Sequence, residues 1–255
     1  VDLVTPSPDV SAALLSQWSR RFAEPVTGWS FSGFADVVTS SDPPWSYPTL
    51  AREAVRGATS VLDLGTGGGE FLRTLADALP ADTHATEGWP TNLPVARAAL
   101  APLGVEVAAH DPAGGPLPFP DSRFDVVLSR HAAYDAADVA RVLRPGGTLL
   151  TQQVDGRNLD DLARLFGAGP AFPHVTVEAA ARAAEDAGLR VHAARSWSGP
   201  VTFADGAALL SFLRTVPWHL PADFTVESHA DVLLALDEWP RLEFTERRFL
   251  LHARR

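Results

Sequence analysis

Six consecutive residues, Gly65-Thr66-Gly67-Gly68-Gly69-Glu70, are built for backbone chemistry. Glycine reaches positive φ at little steric cost and lets backbone amides approach a ligand with no Cβ in the way. The run follows Thr59–Leu64, an apolar, β-branched segment that reads as a short buried strand, and precedes Phe71–Leu79, whose periodicity predicts a helix. A strand, a glycine turn and a helix in that order suit a nucleotide-like cofactor. The helix start offers N–H groups and the positive end of a dipole to a carboxylate or phosphate. About twenty residues past the loop, after the strand-like Thr83–Thr86, stands the acid Glu87, placed to accept hydrogen bonds from both ribose hydroxyls of an adenosine. A glycine loop alone is weak evidence, because such turns also arise for structural reasons.

The composition narrows the chemistry. The chain has 255 residues, 46% of them hydrophobic, enough for one large α/β domain or a domain with a modest cap. No apolar run reaches membrane-spanning length, and Val1–Pro6 lacks the basic start and apolar core of a signal peptide. A cytoplasmic protein without a membrane partner is therefore expected. There is no cysteine, which excludes disulfides, thiolate nucleophiles and cysteine metal sites. There is also no lysine, since all 21 basic residues are arginine, which removes Schiff-base chemistry and the lysine of a P-loop. A formal charge of −10 disfavours a nucleic-acid partner. The eight histidines show no metal-ligand spacing, so no metal is expected. The arginine- and alanine-rich composition suits a GC-rich bacterial genome.

Asp63-Leu64-Gly65-Thr66-Gly67-Gly68-Gly69-Glu70 resembles motif I of the class I S-adenosylmethionine-dependent methyltransferases. Further landmarks follow in that family's order. Glu87 is similar to the ribose-binding acid, and Asp111, which ends Val105–Asp111, to the acid that holds the adenine amino group. Phe124–Arg130 resembles the fourth strand and Val142–Leu150 the helix, turn and strand that lead into the fifth. The resemblance covers roughly residues 55 to 155. It implies a Rossmann-like α/β fold, a mostly parallel seven-stranded sheet of order 3-2-1-4-5-7-6 with helices on both faces and a helical cap.

The resemblance also implies S-adenosylmethionine as donor, with S-adenosylhomocysteine as product, held by Asp63, Gly65, Thr66, Gly67, Glu87, Gly88, Trp89, His110, Asp111 and Arg130. The loop amides would take the methionine carboxylate, and Asp63 with the carbonyl of Arg130 the ammonium. Glu87 and Asp111 would support the adenosine, with His110 framing the adenine. Trp89 would pack either on the adenine or on the protein surface.

Methyl transfer is an in-line displacement at an activated carbon, so much of it is alignment in a dry pocket. A base is needed only for a hydroxyl or protonated amine acceptor. His131, just after the fourth strand, is the first candidate, with Tyr134 three residues on sharing its helical face. The alternative for His131 is a packing or hydrogen-bonding role. Gln152 and Gln153 end the fifth strand and would line the same cavity, while His219 is a more remote candidate. Asp160-Asp161 reads as a solvated helix start.

Around this core, residues 1–50 form an aromatic-rich helical segment with Trp18, Phe22, Trp29, Phe31, Phe34, Trp45 and Tyr47. It reads as a lid over the pockets or as an extension fastened by its aromatics, and the two are compatible. Residues 51–202 are the core, 203–240 a cap insertion too long for a hairpin, and 241–255 the last core strand. Helices are expected at Ser11–Phe22, at Thr49–Arg56, from Asp155 to Phe166 and from Thr176 as N-cap. The favoured function is methylation of O or N on a small-molecule acceptor. Alternatives are an RNA or protein methyltransferase, a NAD-dependent oxidoreductase, and a donor-binding protein without activity. Oligomeric state is not encoded in any motif.

Overall fold

The computed structural model describes residues 8–24, 34 and 36–255; Val1–Pro6, Trp29 and Phe31 lie outside them. In chain order the strands are β1 (Val38–Ser40), β2 (Ser60–Leu64), β3 (Asp82–Glu87), β4 (Glu106–Ala109), β5 (Phe124–Arg130), β6 (Leu143–Val154), β7 (Arg190–Phe203) and β8 (Leu242–Arg254). The α-helices are α1 (Pro8–Phe22), α2 (Tyr47–Val55), α3 (Glu70–Arg73), α4 (Leu93–Leu100), α5 (Ala136–Val142), α6 (Asp160–Leu165), α7 (Val177–Asp186), α8 (Gly206–Thr215) and α9 (Ala230–Asp237). The chain divides into two compact units. The larger comprises Pro43–Asp155, His174–Trp197 and Arg248–Arg255, and the smaller comprises Val1–Asp42, Gly156–Pro173 and Ser198–Arg247.

The larger unit is an α/β fold on a mostly parallel sheet of order β4-β3-β2-β5-β6-β8-β7. Strand β2 runs parallel to β3 and β5, β3 to β4 and β5 to β6, whereas β8 is antiparallel to β6. Every residue of β2 is buried, as a central parallel strand covered on both faces requires. The chain leaves β2 towards β3 and β4, then returns to β5 on the other side of β2. This reversal opens a crevice at the carboxyl ends of β2 and β5, where ligands bind in open α/β sheets. Gly65 and His131 are the residues that follow those two strand ends.

Local chemistry sets several boundaries. Ser46, Asp135 and Thr176 each cap a helix by accepting the amide of the third residue on, at 3.3, 2.7 and 3.2 Å. The helix expected over Phe71–Leu79 is shorter: α3 ends at Arg73. Beyond it the amides of Thr74, Leu75, Ala76 and Ala78 bond three residues back, at 2.8–3.2 Å, in the tighter 3₁₀ pattern. Tyr47 stands at the start of α2, buried beneath the sheet ends, and shares its hydroxyl proton between the carbonyls of Ser129 and Leu150, both at 3.1 Å. Tyr47→Phe should lower stability by about 1–2 kcal/mol. Urea unfolding with an unchanged midpoint would remove that role from the hydroxyl.

In the smaller unit, buried Trp18 of α1 joins Leu162 and Phe166 near α6, Leu209 and Leu213 of α8, and Leu233 of α9 in one apolar cluster. Asp205 caps α8 through the Ala208 amide at 2.7 Å. β1 pairs antiparallel with β7 from Val38↔Phe203 to Ser40↔Val201, an eighth strand beyond the seven expected. Gly156–Pro173, expected within the core, belongs to this unit because Leu159, Leu162 and Phe166 bury there. Residues 43–50 instead join the larger unit, where Trp45 and Tyr47 are core residues. The aromatics thus fasten their segments, each to its own unit.

The helix expected from Asp155 begins only at Asp160. Leu159 adopts φ +56° and donates its amide to Thr245 O at 3.0 Å, while Asn158 Oδ1 accepts from Arg247 N at 2.8 Å. Asp161 Oδ2 accepts from Thr245 N at 2.8 Å, so the Asp160-Asp161 pair is tied to β8 rather than solvated. Asp160 pairs with Arg164.

Candidate functional site

The glycine loop turns through positive φ at Gly65 (+62°), Gly67 (+64°) and Gly69 (+84°). Two of these positions are also crowded. A Cβ on Gly65 would lie 2.3 Å from Ala132 Cβ, and one on Gly69 would lie 2.8 Å from Leu100 Cγ. Gly88 meets the same limit, since a Cβ there would come within 2.9 Å of the His110 carbonyl. Gly65 and Gly88 lie where strand-end loops approach with no room for a side chain, and Gly69 lies against Leu100 of α4.

The loop amides depart from expectation. Gly65 N donates to Thr86 Oγ1 at 3.3 Å and Thr66 N to Thr86 O at 2.9 Å. Gly67 N donates to Glu87 Oε2 at 2.7 Å, Gly68 N to Glu70 Oε2 at 2.9 Å and Gly69 N to Thr66 O at 3.0 Å. All five amides are therefore engaged within the protein, and none is left to receive a carboxylate as the motif suggested. Thr86, at the end of β3, is the acceptor that sequence reasoning did not weigh, and Glu87, expected on the ribose, also holds the loop at Gly67.

Glu87 is buried and works with both oxygens, Oε2 on Gly67 N and Oε1 on Trp89 N, each at 2.7 Å. It ties the glycine loop to the end of β3 and keeps acceptor capacity on both oxygens. Gly65, Glu87, Gly88, His110 and Tyr134 line one cavity of about 150 Å³, the size that accepts a single aromatic ring. Tyr134 therefore shares a cavity with donor-side residues. It does not share a helical face with His131, because α5 starts only at Ala136. Burial pushes its phenol up to about 12, against the Thr151 hydroxyl.

The remaining candidates of the larger unit are not among the residues that line this cavity. Trp89 is 37% exposed. Asp111 is exposed, and its Oδ1 caps the turn at Pro112–Gly114 by accepting Ala113 N at 3.0 Å. Thr66 is buried. The Arg130 guanidinium lies over the Phe71 ring, 5.2 Å from its centroid. His219 is buried in the smaller unit.

Asp63 is the electrostatic centre of the site. It sits on β2 opposite Ala85 and Leu128, 2% exposed. Burial pushes its carboxyl up to about 7, the Thr66 hydroxyl and the Arg130 cation pull it down, and the Glu87 charge pushes it up again. Such a carboxyl gains by meeting a cation. Between pH 4 and 7 the folded protein keeps a proton that the unfolded chain releases, so stability falls as pH rises through that window. Above 7 both states are ionised and the penalty is constant. Asp63→Asn should therefore be stabilised over the parent by an amount that grows from pH 4 to 7, up to a few kcal/mol. Thermal unfolding with a pH-independent difference would overturn this assignment.

His131 adopts φ +59°, a left-handed conformation that costs a non-glycine residue about 1–2 kcal/mol. Its amide donates to Gln152 O at 2.8 Å. The next carbonyl, of Ala132, accepts from Gln153 Nε2 at 2.9 Å and from Ser129 Oγ at 3.0 Å. His131 is exposed as a residue, yet the enclosure of its ring, with the Arg248 and Arg130 cations, pushes its imidazole below the usual histidine range. A ring so reluctant to take a proton is a poor base for a hydroxyl or ammonium acceptor. Gln152 and Gln153, expected as cavity-lining groups, act instead on this turn.

Sequence comparison agrees with the geometry. Residues 62–151 match the family model described as a methyltransferase domain. A demethylmenaquinone methyltransferase from Roseiflexus castenholzii is 31% identical over 160 residues, covering 59% of this chain. The chain spans 64% of that relative's length. A Bacillus halodurans protein described as a putative methyltransferase superposes with a TM-score of 0.59 at 20% identity, over 82% of this chain and 98% of that one. The 4+2 cyclase SpnF superposes with a TM-score of 0.52 at 16% identity, over 100% of this chain and 98% of that one. Residues 62–151, inside the larger unit, are thus similar to a methyltransferase domain, on an α/β fold shared with solved methyltransferase structures.

Proposed function

We propose that the protein binds S-adenosylmethionine and transfers its methyl group to O or N of a small-molecule acceptor. The observation that carries this is a buried, cation-seeking Asp63 on β2, two residues before the Gly65 that lines the cavity with Glu87, Gly88 and His110. The donor has matching parts: an ammonium for Asp63, ribose hydroxyls for Glu87, and an adenine ring for the cavity. Tyr134 then serves the adenosine side. With the loop amides engaged, the Arg130 guanidinium is the group that answers the methionine carboxylate. When bound, the donor supplies a methyl group on positively charged sulfur, and this chain's residues orient it and exclude water. A small-molecule acceptor is supported by the net charge of −10 and by the Roseiflexus relative, named for methylation of demethylmenaquinone.

Calorimetric titration tests the reading. S-adenosylmethionine should bind and NAD should not; no donor binding at any pH would sink it. Cation binding draws Asp63 into its ionised form, so affinity should rise with pH up to about 7 and flatten there. It should fall again where an α-amino group loses its proton, near about 8. A second reading is favoured by the weak basicity of His131: a donor-binding protein that moves no methyl group, since a 4+2 cyclase shares this fold. Formation of S-adenosylhomocysteine with an acceptor library separates the two.

A further inference from the structure

Trp45 and Gln152 are both buried, and Trp45 Nε1 lies 2.8 Å from Gln152 Oε1. An indole N–H can only donate, so the amide atom facing it must be the oxygen. The other end of that amide is then the NH₂ group, which also can only donate, and it lies 3.1 Å from His131 Nε2. A donor facing an imidazole nitrogen requires a lone pair there, which leaves the ring's proton on Nδ1. We propose that Trp45 and Gln152 are positioning residues that lock His131 as the neutral Nδ1–H tautomer, so that the side chain acts on a bound acceptor as a hydrogen-bond donor and not as a general base. The role towards an acceptor rests on the methyl-transfer reading; the tautomer does not.

Independent geometry supports the lock. The His131 backbone is held in a left-handed turn by the Gln152 carbonyl, and the next residue by Gln153 and Ser129, so the ring has a fixed origin. Both glutamines come from the end of β6, which the Arg130↔Gln152 register sets beside the end of β5. The charged groups facing the ring are the guanidinium of Arg130 before it and that of Arg248 on β8, and both oppose a second proton. Protonating Nε2 would also set an N–H against the Gln152 NH₂.

Nitrogen-15 NMR of histidine-labelled, ligand-free protein reads the tautomer directly, with the His131 signals assigned by their loss in His131→Asn. The expected result is a protonated Nδ1, an unprotonated Nε2 and no titration between pH 5 and 8. In Gln152→Glu a carboxylate replaces the donor, so Nε2 should become protonated and the ring should titrate at least two pH units higher. In Trp45→Phe the amide is free to turn over, so an Nε2–H population should appear; circular dichroism checks the fold of each variant. A parent His131 that carries its proton on Nε2, or that titrates between pH 5 and 8, overturns the proposal. So does a tautomer unchanged in whichever of the two variants folds. Because the measurement needs no donor, its failure is distinct from failure to bind S-adenosylmethionine.

Discussion

Glu87→Ala should weaken donor binding by two to three orders of magnitude while leaving most of the fold intact. The carboxylate holds Gly67 N and Trp89 N at 2.7 Å each, and charge-assisted bonds of this kind contribute about 1.5–3 kcal/mol apiece. Removing them loosens the glycine loop at Gly67, leaving Thr86 to hold Gly65 and Thr66 to the end of β3, and on the proposed reading the ribose loses its acceptor in the same step. The two losses reinforce each other, because the loop that Glu87 orders also borders the cavity. Glu87→Gln separates the contributions. Its amide can satisfy one backbone N–H through oxygen but sets an NH₂ group against the other, so it should fall between parent and alanine. Calorimetry with S-adenosylhomocysteine is the readout, alongside thermal unfolding of the ligand-free proteins. A binding constant for Glu87→Ala within fivefold of the parent would remove Glu87 from the ribose site.

What the sequence announces here is chemistry that a short segment carries by itself. Gly65, Gly67 and Gly69 are legible because a left-handed turn after a buried strand demands glycine wherever the chain goes next. Glu87 is legible because one strand and one crossover separate it from the loop. The Trp45–Gln152 bond spans 107 residues, and the Gln152–His131 contact needs β6 beside β5 in one register; no local pattern encodes either. The engagement of the loop amides by Thr86 depends in the same way on the pairing of β2 with β3. The overlong helix after the loop has a simpler cause. Leu72 and Leu75 are buried three residues apart, a spacing that suits α- and 3₁₀-helices alike.

Chain division shows the same limit. Leu159, Leu162 and Phe166 read as one more apolar helix face of the core, yet they bury with Leu209 and Leu213 in the smaller unit. Hydrophobic spacing fixes which face is buried and carries no information about which neighbour buries it. The polar residues hold that information here. Asn158 and Asp161 spend their side chains on the backbone of β8 at Arg247 and Thr245, inside the smaller unit.

Gly65→Ala should be the most damaging glycine-to-alanine change among the described residues. Its φ of +62° costs an alanine about 1–2 kcal/mol. Gly104, at φ +72°, is a position where a Cβ would meet nothing within 4 Å, so Gly104→Ala isolates that backbone cost. Gly65 adds a collision, because the new Cβ would lie 2.3 Å from Ala132 Cβ. No rotamer relieves it, since both atoms are the first of their side chains, and the Ala132 carbonyl is held by Gln153 and Ser129. Overpacking of this kind costs a further amount of about 1–3 kcal/mol, and any relief must displace the glycine loop itself. Donor binding should therefore be lost even where the variant folds. Pairing Gly65→Ala with Ala132→Gly removes the collision and leaves the φ penalty, so the double variant should fall back to the cost of Gly104→Ala and regain part of its donor affinity. Chemical denaturation of the three variants against the parent decides it: if Gly65→Ala loses no more stability than Gly104→Ala, the close approach of Ala132 to the loop is not what requires glycine there.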